Sequence, residues 1–287
     1  MRVNQLKKTL KSGGVALGTL LWDTRGRGVL HTLAQAGMDY VMICTEHSAY
    51  NLETVVDLVA HAHAAGISPV VRIPDLDYQH VTRLLDCGCQ SLILPHVKTG
   101  AEVRRFIEMA KYHPEGKRGM AILMGANTEY EDVDPAVAMK HANDNTLLSV
   151  IVETKEALDN INDILIPGID LALVGYQDLA QSLGVPGQYD NPELRKAQSH
   201  VLQLCKQRGI ATAGAVNRPE NVKAVVDSGA QYLLYGTDLI LIRREAQRAA
   251  EALAPLRNDR KSRSLGCRGV GGSESLGVQA PRICPDA

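Results

Sequence analysis

The chain has 287 residues, 45% apolar and 22% charged, with 31 basic and 32 acidic side chains and a formal net charge of −1. That balance excludes the basic footprint of a nucleic-acid binder and strong attraction to an anionic membrane, and one Phe and one Trp leave little for stacking bases. The length suits one large domain or two small ones and alone does not choose, and the core must be built from Leu, Ile, Val, Ala and Met.

Residues 1–14 lack the apolar segment of a secretory signal, and no run of about 18 apolar residues suggests a membrane span. The first β-like run is 15–21, followed by a helical pattern over 30–36 that stops at Gly37. A second run, 40–44, leads straight into Thr45, Glu46 and His47. A helical pattern over 52–65 stops at Gly66, and run 69–73 carries Arg72 near its end. The pattern 80–86 closes on Asp86 and stops at Gly88, and run 91–94 passes through Pro95 to His96. After the pattern 101–112 comes an unusually long connection, 113–146, of the kind that often carries function. Run 147–153 ends on Glu153, and run 171–175 ends on Gly175, just before Gln177 and Asp178; the pattern 155–165 lies between them. The chain continues with a helix at 191–208, a run at 211–216, a helix at 218–227, a run at 232–235 and a final helix over 238–253. Residues 258–287, rich in Gly, Ser and Arg and without periodicity, read as a disordered tail.

Most of the eight runs are continuous rather than alternating, as expected of parallel strands covered on both faces. Eight such runs with helical crossovers predict an α/β fold, a (β/α)8 TIM barrel in a single domain over 1–257. An open doubly wound sheet is the alternative, weakened because no G-x-G-x-x-G follows the first run. The six cysteines, Cys44, Cys87, Cys89, Cys205, Cys267 and Cys284, form no C-x-x-C pair and read as reduced thiols of a cytoplasmic protein.

In such a barrel, catalytic groups sit at the C-terminal strand ends. Glu46, His47, Arg72, Glu153 and Asp178 come from four different strands and would share one rim. Each also has a plain reading: Glu153 with Thr154, or Asp178, as a helix cap; His47 as a structural histidine; Arg72 as a rim salt bridge. Their coincidence of position favours a site. His61 and His63 are two apart and point to different faces of a helix, so a metal pair there is disfavoured. His96 reads as a rim hydrogen bonder, "GKRG" at 116–119 lacks the frame of a phosphate loop, and Ser48 has no nucleophile elbow around it.

Six stretches, "AGMDYVMICTEH", "PVVRIP", "RLLDCGCQSLILPHV", "YHPEGKRG", "VETKEALDNINDIL" and "VGYQDLAQSLG", together resemble the HpcH/HpaI aldolase/citrate lyase family, in its metal-dependent 2-oxo-acid aldolase branch, over residues 10–255. The resemblance implies a (β/α)8 barrel assembled into dimers and then hexamers. It implies that Glu153 and Asp178 bind Mg²⁺, Mn²⁺ or Co²⁺, with the remaining positions left for water and a chelating 2-oxo acid. Arg72 would face the ketone oxygen, His47 would be the general base, and Gly175, Gln177 and Asp178 would hold the substrate carboxylate. Glu46 would support His47. Asp86 matches a residue that raises the basicity of the histidine, although the helical pattern puts it near the opposite end of the barrel.

The implied reaction takes a proton from the 4-hydroxyl of a 4-hydroxy-2-oxo acid, breaks C3–C4 and yields an aldehyde and pyruvate enolate. No Schiff-base lysine stands at these strand ends, which favours the metal route. Oxaloacetate-type decarboxylation on the same site, or a non-catalytic ligand-binding barrel, are the alternatives. The chain departs from the family at Cys44, where an acid is usual, at Ile151, where a Gln is usual, and at Tyr176, which replaces the proline of a Gly-Pro pair.

Overall fold

The structure, a computed structural model, describes residues 1–122 and 125–266. Eight parallel strands close into a barrel, each paired with its neighbours in sequence. They are β1 Ala16–Leu21, β2 Tyr40–Cys44, β3 Ser68–Arg72, β4 Ser91–Leu94, β5 Leu147–Val152, β6 Leu171–Val174, β7 Ala211–Val216 and β8 Tyr232–Thr237. The expected (β/α)8 barrel is present, and its strand bounds agree with the apolar runs to within two residues.

The helices are α1 Gln5–Lys11, α2 Arg27–Gln35, α3 Leu52–Ala65, α4 Tyr78–Asp86, α5 Gly100–Ala110, α6 Pro135–Asn145, α7 Lys155–Asp159, α8 Ile161–Ile164, α9 Tyr176–Ser182, α10 Pro192–Arg208, α11 Val222–Asp227 and α12 Asp238–Gly266. Helix α1 was not expected from the sequence pattern. Asn4 caps it by accepting from the Lys7 backbone N–H, and its Leu6 and Leu10 join the apolar cluster that fills the barrel. Helix α12 runs past the expected end at residue 253 and takes in residues 258–266. The rest of the expected tail, with Cys267 and Cys284, lies outside the described residues. Met1–Leu241 form one compact unit that holds the whole barrel, and the chain from Ile242 forms a second.

The continuous apolar runs hide a two-residue alternation. Tyr40, Met42 and Cys44 of β2, with Val70, Ile93, Ile151 and Leu173, fill the barrel lumen. Val41, Ile43, Val71, Leu92, Val150 and Val152 face outward and pack on Val55, Leu58, Val81 and Phe106 of the surrounding helices. Both faces are apolar because both are covered. Near the lower end of the lumen the rings of Tyr40 and Tyr232 stack at 4.0 Å. Gly18 is required beside them, since an added Cβ would lie 2.6 Å from the Tyr40 ring.

Alternation places the site. Two residues beyond inward Val70 comes Arg72; two beyond Ile151 comes Glu153; two beyond Leu173 comes Gly175. Side chains at i and i+2 share a face of a strand, so all three inherit the lumen side at the C-terminal rim.

Candidate active site

The end of β2 is fastened to β3 before the polar residues begin. The Thr45 backbone N–H and hydroxyl both donate to the Arg72 carbonyl, at 3.0 and 2.7 Å. Cys44 is fully buried and its Sγ accepts from Arg72 Nη2 at 3.0 Å and from the His47 backbone N–H at 3.3 Å. The thiol performs an acceptor's role toward the two residues expected to do the chemistry.

Glu46 lies at the centre of the rim. Its side chain is 8% exposed, with Oε1 2.7 Å from His96 Nε2 and 3.4 Å from His47 Nε2. Arg72 Nη1 is 3.1 Å from Glu46 Oε2 but without hydrogen-bonding alignment, and among the described residues neither buried Glu46 Oε2 nor buried Arg72 Nε has a hydrogen-bond partner. Buried orphan donors and acceptors are rare in folded proteins, and at a strand-end rim they mark where a ligand's polar atoms go. His47 is 45% exposed and its ring stacks on Trp22 at 5.8 Å, which fixes its plane and leaves its edge accessible.

Glu153 is 2% exposed. Its Oε1 accepts from the His96 backbone N–H at 2.6 Å, and the His96 ring Nδ1 is 3.3 Å away. Burial pushes its carboxyl above the ordinary range; the His96 interactions oppose this, and the nearby charges of Asp178 and Glu46 add to it. Among the described residues no Lys or Arg pairs with Glu153. Helix capping does not account for it, because Thr154 caps α7 by accepting from the Ala157 N–H at 3.0 Å. Asp178 lies in the first turn of α9, which begins at Tyr176, earlier than expected. Gly175 is the N-cap position of α9, and Gln177 beside it is exposed. Tyr176 and Gln177 also line, with Tyr189, Ala215 and Asn217, a cavity of about 470 Å³ at this rim.

The structure thus places Glu46, His47, Arg72 and Glu153 on one rim, with Asp178, Gln177 and Gly175 at the neighbouring strand end. Asp86 is not brought there. It is the last residue of α4, below β4, and accepts from Arg118, a buried guanidinium 4.5 Å over the Tyr112 ring. The long 113–146 connection also turns downward: Glu129 pairs with Arg2, Asn145 accepts from the Asn4 N–H, and Asn143 bonds Tyr112. Two rim residues were underrated in sequence. Trp22 follows β1 directly and His96 lies two residues past the end of β4, which is the signal that could have raised them.

The donor chemistry at Glu153 and Asp178 fits a hard divalent cation. Both offer carboxylate oxygens, and buried Glu153 pairs with the His96 ring but, among the described residues, with no Lys or Arg. The space beside it is kept clear by Gly175, whose added Cβ would lie 2.4 Å from Glu153 Oε2. Among the described residues no group of three or more His, Cys, Asp and Glu is arranged to hold a metal ion. Also among the described residues, no helix is long and apolar enough to cross a membrane.

Known proteins resemble this chain along most of its length. The hydroxypyruvate/pyruvate aldolase of Sagittula stellata is 32% identical over 85% of this chain and 95% of its own length. The 4-hydroxy-2-oxo-heptane-1,7-dioate aldolase of Escherichia coli is 29% identical over 88% of this chain and 94% of its own. The crystal structure of an HpcH/HpaI aldolase from Desulfitobacterium hafniense superimposes with a TM-score of 0.82 at 30% identity, covering 86% of this chain and 96% of that one. Residues 24–244 match the family as a whole, and the chain belongs to the HpcH/HpaI aldolase/citrate lyase family.

Proposed function

We propose that the chain is a divalent-metal-dependent aldolase, a carbon–carbon lyase that cleaves or forms a 4-hydroxy-2-oxo acid, with pyruvate and an aldehyde on the other side of the reaction. One observation carries this reading: among the described residues, buried Glu153, paired with no Lys or Arg, lies on the same rim as Arg72, whose buried Nε–H has no acceptor, and half-exposed His47. That is a place for a cation, a donor for an oxo oxygen and a base, brought together by three strands.

Glu153 and Asp178 would hold the cation, Mg²⁺, Mn²⁺ or Co²⁺. When bound it supplies Lewis-acid attraction for the 2-oxo acid and for the charge that develops on the oxo oxygen. Arg72 Nε donates to that same oxygen, and the donation strengthens as the enolate forms. His47 Nε2 takes the proton of the 4-hydroxyl, the C3–C4 electrons move into the enolate, and the aldehyde leaves; protonation at C3 gives pyruvate. The Trp22 ring holds the imidazole plane during both transfers. The open N-terminal turn of α9, at Gly175–Asp178, receives the substrate carboxylate. The cavity beside Tyr176 and Tyr189 has room for the aldehyde end.

Exposed apolar side chains along α12, among them Leu239, Ile242, Leu253 and Leu256, support assembly as a homo-oligomer. The test of the function is a coupled assay for pyruvate released from 4-hydroxy-2-oxo acids, with and without EDTA. Activity should vanish on chelation and return with Mn²⁺ or Mg²⁺. Activity indifferent to EDTA, or unchanged in Glu153→Ala, overturns the metal route.

A further inference from the structure

His96 was expected to be a rim hydrogen bonder, and the structure gives it more to do. It lies two residues past the end of β4, between buried Pro95 and Val97, and its φ of 51° puts a non-glycine residue in the left-handed region. Such a conformation costs free energy and persists where surrounding structure demands it. What it achieves here is specific. The backbone N–H meets Glu153 Oε1 at 2.6 Å while the ring reaches across the rim to Glu46 Oε1 at 2.7 Å.

The alternatives open to Glu46 show why this matters. Its carboxylate is almost wholly buried, and its remaining neighbours are Arg72 Nη1 at 3.1 Å, misaligned, and His47 Nε2 at 3.4 Å. Like the Arg72 contact, the His96 contact is an ion-pair approach without hydrogen-bonding alignment, but it is the shortest that Glu46 has, and a buried carboxylate that loses it takes the nearest donors available. Those donors belong to the residue that binds the oxo oxygen and to the base. A Glu46 closed on Arg72 would consume the orphan guanidinium face, and a Glu46 closed on His47 would turn its Nε2 from the substrate.

We infer that His96 is a positioning residue: its ring takes the Glu46 carboxylate and so keeps Arg72 and His47 free for substrate. This rests on the aldolase reading of the site, but it assigns a role to a residue outside the metal and base set.

The experiment compares wild type with His96→Gly, His96→Gln, Glu46→Ala and the His96→Gly/Glu46→Ala double variant. Glycine accepts the left-handed backbone and keeps the N–H to Glu153, so it removes the ring alone. For His96→Gly, kcat should fall ~10- to 100-fold, the scale of a misplaced catalytic group. Mn²⁺ affinity measured by calorimetry without substrate should stay within about threefold, and the thermal midpoint should not fall. Gln presents an N–H at the end of its chain and should recover most of the lost kcat. In the Glu46→Ala background, removing His96 should change kcat less than about twofold, because there is no carboxylate left to restrain. Undiminished kcat in His96→Gly, a loss that tracks a lower thermal midpoint, or a full loss again in the Glu46→Ala background each overturn the positioning role. A wild-type protein that releases no pyruvate from any 4-hydroxy-2-oxo acid overturns the site reading itself and this role with it.

Discussion

Glu153 is pressed on from several sides, and the nearest constraint is a missing atom. Gly175 has φ −81°, which any residue adopts, so backbone freedom does not explain the glycine. Close approach does: an added Cβ would lie 2.4 Å from Glu153 Oε2 and 2.7 Å from its Cβ. Gly175→Ala should therefore displace the carboxylate and lower Mn²⁺ affinity by roughly 10- to 100-fold, as loss of a supporting group around a metal ligand does. Calorimetric titration measures this, and unaltered affinity would show that the carboxylate has room to retreat. Cys44 makes a second residue-scale case. Cys44→Ala leaves Arg72 Nη2 and the His47 N–H without their shared acceptor, at a cost of about 1–2 kcal/mol in urea unfolding and with a lower kcat/KM. A variant with wild-type kcat/KM would show that the thiol only fills space. The shared rim of Glu153, Arg72 and His47 was legible in sequence because strand ends announce it. The part played by His96 was not, since it depends on a left-handed residue that no periodicity reports.

Elements are held in place here by side chains that cross between them. The β1–β8 ladder closes the barrel and carries an irregularity between Gly18 and Leu20. Beyond it, the loop after β1 is gathered by one carboxylate. Asp238, 3% exposed and the first residue of α12, accepts from the backbone N–H groups of Trp22, Asp23 and Thr24 at 3.1, 3.0 and 2.8 Å, and from the Thr24 hydroxyl. Burial works against its charge, but these hydrogen bonds prevail and hold its carboxyl below the ordinary range. A carboxyl with a depressed folded-state pKa contributes stability that is complete above its unfolded value, about 3.9, and is lost as pH falls through the folded one. Asp238→Ala should lower unfolding free energy by about 2–4 kcal/mol at pH 7, and the gap to wild type should shrink below pH 4. Because the same carboxylate anchors Trp22, kcat should fall too. Thermal melts from pH 3 to 7 with parallel assays check both, and a gap independent of pH would remove the charge from the account. Sequence showed this only in outline. It marked β8 and a following helix, but an acid at a helix start reads as a cap, and here it serves a loop some 215 residues away.

At the scale of the whole molecule, the barrel was legible because its evidence is repeated: eight apolar runs, each followed by a helix and most of those ended by a glycine, allow few other arrangements. The lower face was not legible, because it is built from polar pairings between distant segments. There α1 and the segment around α6 come together, and two buried amines share one carbonyl: Lys7 and Lys111 both donate to Thr146, Lys7 also pairs with Asp170 at 3.0 Å, and Lys111 donates to Asn143. Burial lowers both amines, and the neighbouring Lys7 charge helps bring Lys111 down to about 8. An unfolded lysine keeps its proton to about 10.4, so between pH 8 and that value the unfolded chain binds more protons than the folded one. Stability from this group therefore rises with pH across the window, by up to about 1.4 kcal/mol per unit. Other groups move the wild-type curve in the same range, and a comparison with Lys111→Met isolates this one. Methionine fills the channel of the stem without a charge to desolvate. Urea unfolding at pH 7, 8, 9 and 10 should show the variant losing ground to wild type as pH rises through 8. A constant difference would mean that Lys111 holds its proton in the folded barrel as firmly as in the open chain, and that the carbonyls of Asn143 and Thr146 fully compensate its burial.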